Sequence, residues 1–278
     1  MPAPAPSADH ACAPVTPDTA FQARQRALFR ASVLKQAKWR ELSRAVSDTP
    51  YQDALDLGSD NGIISLLFRE RGGCWTSADL TSETVEAIGR MVGDRVHRLH
   101  GSRLPFPDAA FDLIVVVDLL EHLHDDRELL AELARCLRPG GRLVLNVPHL
   151  KRGAVLPPLR HRLGLTDAWH GHQHAGYTAQ SLRALLPPEL VLERSHTYSR
   201  FFSHLLDTAL NWMYLRGTRG RAVSTAKGMV VTGASAGGRL LAAAYPALRL
   251  WAALDHLVPF TEGYMLLATV ARVPSTRS

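Results

Sequence analysis

The sequence has few cysteines and no long uninterrupted apolar run, and each shortage excludes a class of protein. Its 278 residues include three cysteines, Cys12, Cys74 and Cys136, which stand far apart and form no C-x-x-C pair. Neither a disulfide framework nor a cysteine zinc site is therefore indicated, and this usage suits a reducing cytoplasm. No uncharged apolar stretch reaches the roughly 18 residues of a membrane span, so we expect a soluble protein. A composition of 46% hydrophobic and 21% charged residues is ordinary for a globular chain.

The first twenty residues also lack the features of a signal peptide. They contain five prolines but neither an early basic residue nor an apolar core, so we expect a disordered leader over residues 1–20. Residues 21–47 then predict one amphipathic helix, although Arg24 and Lys35 interrupt its apolar face. That face consists of Phe21, Leu28, Ala31, Trp39, Leu42 and Val46.

Acidic residues are scarce in the second half of the chain. Residues 1–150 carry 17 Lys and Arg against 20 Asp and Glu, a net charge of −3, whereas residues 151–278 carry 15 against 6, a net charge of +9. The two halves therefore differ in the ligands that they attract.

Short β-rich runs alternate with helical runs from residue 52 onward. The segment FDLIVVV at 111–117 is nearly all apolar, as in parallel strands that are buried on both faces by helices. Strands are predicted at 52–57, 74–79, 95–100, 111–118, 142–147, 190–198 and 263–272. Helices are predicted at 62–71, 82–92, 125–137, 178–187, 202–215 and 239–258.

A glycine-containing turn, DLGSDNG at 56–62, follows the first strand. Glycines in such a turn let the backbone approach a ligand at a helix N-terminus. A dinucleotide fingerprint would need glycines at 58, 60 and 63, but position 60 is Asp and position 63 is Ile. Asp56 and Asp60 would repel a pyrophosphate and instead suit a cationic ligand without phosphate. Asp79, at the end of the second strand, can accept hydrogen bonds from both hydroxyls of a ribose.

This turn, ADL at 78–80, LPFPDAAFDLIVVVDLLEHL at 104–123 and LRPGGRLVLNVP at 137–148 together resemble the class I S-adenosylmethionine-dependent methyltransferases over residues 50–150. The resemblance implies an α/β, Rossmann-like fold: a seven-stranded, mostly parallel sheet with helices on both faces, an N-terminal helix and a helical insertion before the last strand. It also implies S-adenosyl-L-methionine as the cofactor. The cofactor-binding residues that it implies are Asp56, Gly58, Ser59, Asp60, Gly62, Asp79, Leu80, Gly101, Ser102, Asp118 and Leu119.

Two positions depart from the family's pattern. Asp60 replaces the central glycine of D-x-G-x-G-x-G, and Ser102 stands where an acid often contacts the adenine amino group. We therefore expect a modest affinity for the cofactor.

Histidines are the candidate catalytic bases, since an oxygen or acidic-carbon acceptor must lose a proton near neutral pH. His149 directly follows the fifth strand, at the edge of the sheet where ligands bind in open α/β folds, and is the first candidate. His122 is the second. Its neighbour Glu121 either belongs to the site or serves only to cap or pair within its own helix.

A histidine cluster at 170–174 admits three interpretations. Alternate residues of an extended segment share one face, which would allow a metal cluster, but a loop at this place can also contact substrate or be merely polar. We predict substrate contacts for His170, His172 and His174 and assign no metal ligand. The resemblance adds Tyr177 to the acceptor site.

The basic second half favours an acceptor with an anionic or polar end. Segment 239–258 either lies along a membrane interface or packs over the sheet and the pocket. A small-molecule or lipid acceptor, with peripheral membrane contact through 239–258, fits both observations. We do not expect a nucleic-acid partner, because no RNA-binding module is recognisable and the fourth strand is followed by DLLEHL rather than an N-P-P-Y tetrapeptide.

The predicted organisation has five parts: a leader at 1–20, an N-terminal helix at 21–50, a methyltransferase core at 51–200, a helical insertion that forms the acceptor cover at 201–262, and the last strand and tail at 263–278. The predicted function is cofactor-dependent methyl transfer to a small or lipid-like acceptor. An RNA or protein methyltransferase, and a non-catalytic binding protein that retains the fold, stay open as alternatives.

Overall fold

The computed structural model describes residues 16–151, 156–166, 171–217, 236–258 and 261–273. In these ranges seven strands form one sheet with the order β3-β2-β1-β4-β5-β7-β6. The strands are β1 (Asp53–Leu57), β2 (Cys74–Asp79), β3 (Val96–Arg98), β4 (Phe111–Val117), β5 (Leu137–Pro148), β6 (Leu190–Tyr198) and β7 (Met265–Arg272).

Nine α-helices accompany this sheet in the described ranges. They are α1 (Thr19–Arg30), α2 (Val33–Ser47), α3 (Ile63–Arg69), α4 (Ser82–Val92), α5 (Asp126–Cys136), α6 (Leu156–Arg162), α7 (Ala179–Leu185), α8 (Phe201–Gly217) and α9 (Ala236–Ala253). A short 3-10 helix, Leu120–His122, follows β4.

The sheet is mixed, as the sequence predicts. Strands β1 to β5 run parallel, and β7 is inserted between β5 and β6, antiparallel to both. The apolar residues 113–117 of β4 are at most 3% exposed, because one hydrophobic cluster covers each face of the sheet. The carboxyl ends of β1, β2, β4 and β5 therefore meet at one edge, which we call the carboxyl edge.

The prediction of a single helix over 21–47 is wrong. The chain forms two helices, because Ser32 takes an extended conformation and its hydroxyl caps α2 by accepting from the Lys35 N–H. Ala31 ends α1 at the same point.

The helix predicted at 125–137 is confirmed with a slightly earlier end. Asp125 caps it by accepting from the Glu128 N–H at 2.9 Å, and the helix ends at Cys136. Residues 138–141, with the Pro-Gly-Gly sequence, form a bulge in β5, since Phe111 pairs with Leu137 while Leu113 pairs with Arg142.

The insertion before β7 contributes α8 and α9. The side chain of Trp251 in α9 donates to the Phe202 carbonyl at 2.9 Å, and Tyr245 donates to Gln36 of α2 at 2.9 Å. Among the described helices, none has the length and apolar content needed to cross a bilayer. The leader residues 1–15 and the connection 218–235 lie outside the described residues.

Candidate functional site

The glycine turn after β1 is wedged between neighbouring strands. The Gly58 N–H donates to the Ala78 carbonyl at 3.2 Å, and a Cβ at Gly58 would lie 2.2 Å from the Val117 carbonyl oxygen. Gly58 and Gly62 have φ values of +81° and +77°, which favour glycine. Asp60 takes a φ of +54° without being glycine. Asp60 thus takes a left-handed conformation that glycine adopts readily and that Asp tolerates better than most other residues.

Asp56 holds this turn from inside the protein. Its carboxylate is fully buried and accepts hydrogen bonds from Ser77 at 2.8 Å and Ser65 at 2.5 Å, with the Arg69 guanidinium 3.7 Å away. Burial raises the pKa of Asp56. Asp56 thus ties α3 to β2, and its contact with the cofactor stays a prediction. Ser59, which is also buried, accepts from the Ser65 N–H at 2.9 Å.

Asp79 occupies the end of β2, as the sequence predicts. Its side chain is 4% exposed and accepts the Leu80 N–H at 2.7 Å. Burial, with a further contribution from Asp60, raises the pKa of Asp79 to about 6. Asp79 can accept hydrogen bonds from the hydroxyls of a ribose, and its carboxylate together with Asp60 would repel a phosphate placed beside them.

Open space lies beside Gly101, the residue predicted to border the adenine. Its φ is +75°, and an added Cβ would meet no atom within 4 Å. The Ser102 hydroxyl donates to the Asp125 carbonyl at 3.1 Å, and Leu80 is partly buried against the core of the domain. Together with Asp79, this arrangement fits S-adenosylmethionine.

Asp118 ends β4 at the carboxyl edge, with a φ of +47°. Its carboxylate accepts from Asn146 at 2.7 Å and pairs with Lys38 of α2. Burial works to lower the pKa of Lys38, but the Asp118 carboxylate outweighs it and raises that pKa overall. Leu119, the next residue, is 2% exposed.

The N-terminal helices contribute polar groups that the sequence analysis missed. Gln25 of α1 accepts from the Asn61 amide at 2.7 Å, and both residues are 2% exposed. Lys35 lies near Asp60, and burial lowers its pKa. The sequence did contain a sign of this contribution, because Lys35 interrupts the apolar face of the predicted helix. That interruption marks a helix face turned toward the glycine turn.

His149, the first candidate base, lies where β5 ends. Its Nδ1 and the Gly263 carbonyl are 2.9 Å apart, so Nδ1 carries the proton and donates it. The Nε2 atom of the neutral ring then has its lone pair available to accept a proton. The role of His149 as a general base stays a prediction.

A cavity of about 170 Å³ opens beside His149. His204 and Tyr264 stack at one wall, with ring centroids 4.4 Å apart, and burial lowers the pKa of His204 to about 4. This volume is below the roughly 300–1,000 Å³ of cavities that enclose a drug-sized ligand, so it accommodates only the reacting end of a larger molecule. The lining residues are His149, Leu150, Lys151, Pro157, Ala175, His204 and Tyr264.

A second cavity, of about 250 Å³, lies between Thr49, Arg138 and Glu193. It is at the opposite edge of the sheet from the glycine turn, because Arg138 and Gly140 lie in the bulge at the amino-terminal end of β5. Its position excludes it from the site built at the carboxyl edge.

Of the predicted acceptor residues, Tyr177 and His174 lie together against Asp126, whereas His172 lies against His122. Tyr177 is 3% exposed, and its hydroxyl donates to Asp126 at 3.1 Å, so it holds the chain before α7 against the start of α5. His174 lies 3.8 Å from the same Asp126 carboxylate. His172 lies against His122, with ring centroids 4.9 Å apart. Substrate contact by these residues stays a prediction, and His170 lies outside the described residues.

Comparison with known proteins identifies the central part of the chain. The family model described as a methyltransferase domain matches residues 55–145. A demethylmenaquinone methyltransferase of Tropheryma whipplei is 32% identical over 129 residues, which is 45% of this chain and 54% of that protein. The chain contains a class I S-adenosylmethionine-dependent methyltransferase domain. It spans about half the length of the curated relatives that it matches.

Solved structures share the fold of this methyltransferase domain. A phosphoethanolamine N-methyltransferase from Haemonchus contortus, in complex with S-adenosylhomocysteine, has a TM-score of 0.52 at 14% identity, covering 85% of this chain and 53% of that one. The [4+2]-cyclase SpnF has a TM-score of 0.54 at 20% identity, covering 94% of this chain and 98% of that one. The seven-stranded fold and S-adenosylmethionine as the cofactor of such domains agree with the sequence analysis.

Proposed function

We propose that this protein transfers the methyl group of S-adenosylmethionine to a small, lipid-like acceptor with a polar or anionic end. The observation that carries the proposal is the position of His149, whose Nδ1 is held by the Gly263 carbonyl beside a cavity at the carboxyl edge. The demethylmenaquinone methyltransferases among the relatives support an acceptor of this class by their name.

The cofactor would be held by Asp79 and by the backbone of the glycine turn, with Gly101 and Ser102 beside its base. Bound there, it supplies a methyl group on a cationic sulfonium. The chain's own contribution is to orient the two molecules, to exclude water, and to accept a proton at Nε2 of His149. Positioning alone supplies much of the rate of an in-line displacement.

The cavity lining contains one positively charged side chain. The Lys151 ammonium donates to the Glu262 carbonyl at 3.0 Å, which places a positive charge where an anionic end of an acceptor would lie. Leu150, which also lines the cavity, is 44% exposed, and Leu159 on the neighbouring helix α6 is 41% exposed, so both offer apolar surface. The reacting end would enter the cavity, and an apolar tail would follow that surface.

The experiment is an incubation of the protein with isotopically labelled S-adenosylmethionine and either the lipid extract or the water-soluble extract of the source cells, followed by mass spectrometry. Label in a lipid product supports the proposal, whereas label only in a water-soluble product contradicts the lipid-like acceptor. His149→Gln should slow labelling about 10²- to 10⁴-fold, since it removes the base. The matched control is His161→Gln, an exposed histidine on α6, which should label at the wild-type rate.

A binding protein that transfers nothing is the second candidate. The departures from the family's pattern at Asp60 and Ser102 favour keeping it, because a fold alone does not determine function. Binding of S-adenosylhomocysteine without labelling of any product would favour this candidate. Salt-sensitive binding of RNA would instead favour an RNA methyltransferase.

A further inference from the structure

Three potential ligand groups converge beside β4. One oxygen of Glu121 and one ring nitrogen each of His122 and His172 all lie within 4.8 Å of one another. Glu121 and His122 belong to the 3-10 helix after β4, and His172 comes from the segment before α7, fifty positions further along the chain. Spacing along the sequence therefore gives no hint of this cluster.

Two hydrogen bonds, one from a side chain and one between backbone groups, hold the residues on both sides of His172 in place. The His122 Nδ1 and the carbonyl of Gly171 are 3.0 Å apart, and the Gln173 N–H donates to the Glu121 carbonyl at 2.8 Å. The residues that flank His172 are thus tied to the residues that carry the other two groups. A site of this kind is built by the fold rather than formed by chance at a surface.

The bond to Gly171 also fixes the proton of His122. A carbonyl oxygen only accepts, so Nδ1 of His122 carries the proton and Nε2 carries the lone pair. Metal-binding histidines commonly donate their second ring nitrogen to a carbonyl in this way, which sets both the tautomer and the orientation of the ring.

Glu121 supplies an independent sign of a ligand. It is 1% exposed, and its Oε2 atom has no hydrogen-bond partner among the described residues. An unpartnered buried carboxylate oxygen is destabilising unless a cation or a proton satisfies it. Lys38 lies near enough to attract the Glu121 carboxylate, but its ammonium pairs with the neighbouring Asp118, whose other oxygen accepts from Asn146.

We propose that Glu121, His122 and His172 bind a divalent transition-metal ion such as Zn²⁺ or Mn²⁺. Two imidazoles and one carboxylate suit these ions, whereas Mg²⁺ prefers oxygen ligands and water. Three protein ligands leave at least one position open, to which an oxygen of the acceptor would bind. Binding of the acceptor to the ion rests on the proposed function, whereas binding of the ion to the protein does not.

The test is calorimetric titration of the full chain with Zn²⁺ and Mn²⁺, compared with Mg²⁺. We expect one equivalent of Zn²⁺ bound more tightly than Mn²⁺, with Mg²⁺ much weaker. Glu121→Gln keeps the shape of the side chain, and His172→Gln removes the ring nitrogen. Each should lower the affinity for Zn²⁺ by at least about a hundredfold. Loss of a residue that only supports a ligand typically lowers metal affinity ~10–100-fold. The visible absorption of bound Co²⁺ gives a second readout. The wild type should show this absorption, and both variants should lack it.

His256→Gln is the matched control, because it removes an exposed histidine far from Glu121 in the sequence and should leave the equivalent unchanged. Circular dichroism and S-adenosylhomocysteine binding report whether each variant folds, and if His172→Gln does not fold, Glu121→Gln decides. Absence of a specific equivalent in the wild type, or equal binding by the folded variants, would overturn the metal site. Metal binding without methyl transfer would overturn the proposed function and leave the site standing.

Discussion

At the scale of single residues, buried acids dominate the candidate site. Asp56 accepts hydrogen bonds from Ser65 and Ser77 and lies 3.7 Å from the Arg69 guanidinium. Asp79 accepts the Leu80 N–H and lies near the like charge of Asp60. The two buried carboxylates therefore differ in their surroundings: Asp56 links α3 to β2, and ribose binding by Asp79 stays a prediction.

The raised pKa of Asp79, about 6, makes cofactor binding depend on pH. Only the carboxylate accepts hydrogen bonds from both ribose hydroxyls, so affinity should be full above pH 7 and should fall as the pH drops through 6. At pH 5 we expect about tenfold weaker binding than at pH 7.5, measured by calorimetry with S-adenosylhomocysteine. Asp79→Asn should bind weakly with little change over this range. An unchanged affinity of the wild type at pH 5 would contradict the assignment.

At the scale of elements, much of the candidate site could be predicted from the sequence, because its residues are neighbours along the chain. The turn 56–62 and the strand end at Asp79 follow from glycine positions and apolar runs that lie within a few residues. The break between α1 and α2 could not be predicted from the sequence, because the Ser32 cap is a single hydroxyl within a continuous apolar pattern. The approach of His172 to Glu121 depends on a segment fifty residues away, which no local pattern encodes.

The glycine turn provides a prediction about stability. Gly58→Ala places a Cβ 2.2 Å from the Val117 carbonyl at a φ of +81°, so we expect a loss of at least about 3 kcal/mol in the free energy of unfolding. Gly140→Ala has nearly the same φ, +80°, with open space around it, and should cost only about 1–2 kcal/mol. Urea denaturation measures both. Equal losses would show that the contact with Val117 does not matter.

Helix α9 and the 3-10 turn after it provide the test of membrane contact. Leu250 and Leu257 are 72% and 71% exposed, with Trp251 between them, which is a surface that an interface would bury. We expect Leu250→Ser with Leu257→Ser to reduce sedimentation with vesicles of anionic phospholipid by at least about tenfold, since each buried leucine contributes ~1.5–3 kcal/mol. Val191→Ser, at an apolar position on β6 that is 50% exposed, is the control. If the double variant and the wild type sediment alike, segment 239–258 only packs over the domain.

At the scale of the whole molecule, segments outside the matched range 55–145 complete the site. Gln25 and Lys38 reach it from the N-terminal helices, and Gly263 and Tyr264 reach it from the end of the insertion. The charge difference between the halves of the sequence indicated that they bind different ligands. It gave no sign that both halves contribute residues to one site. Contacts between distant segments are determined by packing, and a single sequence does not display them.

This sharing predicts that cofactor binding stabilises the chain as one unit. S-adenosylhomocysteine at a hundred times its Kd should add about 2.7 kcal/mol to the free energy of unfolding. For a chain of this size that corresponds to a rise of roughly 5–10 °C in Tm. Differential scanning calorimetry should show a single unfolding transition that shifts as a whole to the higher temperature. A second transition that stays in place would show that the N-terminal helices unfold independently of the site.

The position of β7 has a consequence for synthesis on the ribosome. Strand β5 and strand β6 do not pair with each other, because β7 lies between them and comes after both in the chain. The outer edge of β5 therefore has no partner until residues 265–272 have emerged. At ~5–20 residues per second, the delay after Pro148 is roughly 6–25 s, during which the nascent sheet presents an open edge to other chains. The fold thus creates a period in which chaperone binding to the unfinished chain would have its greatest effect.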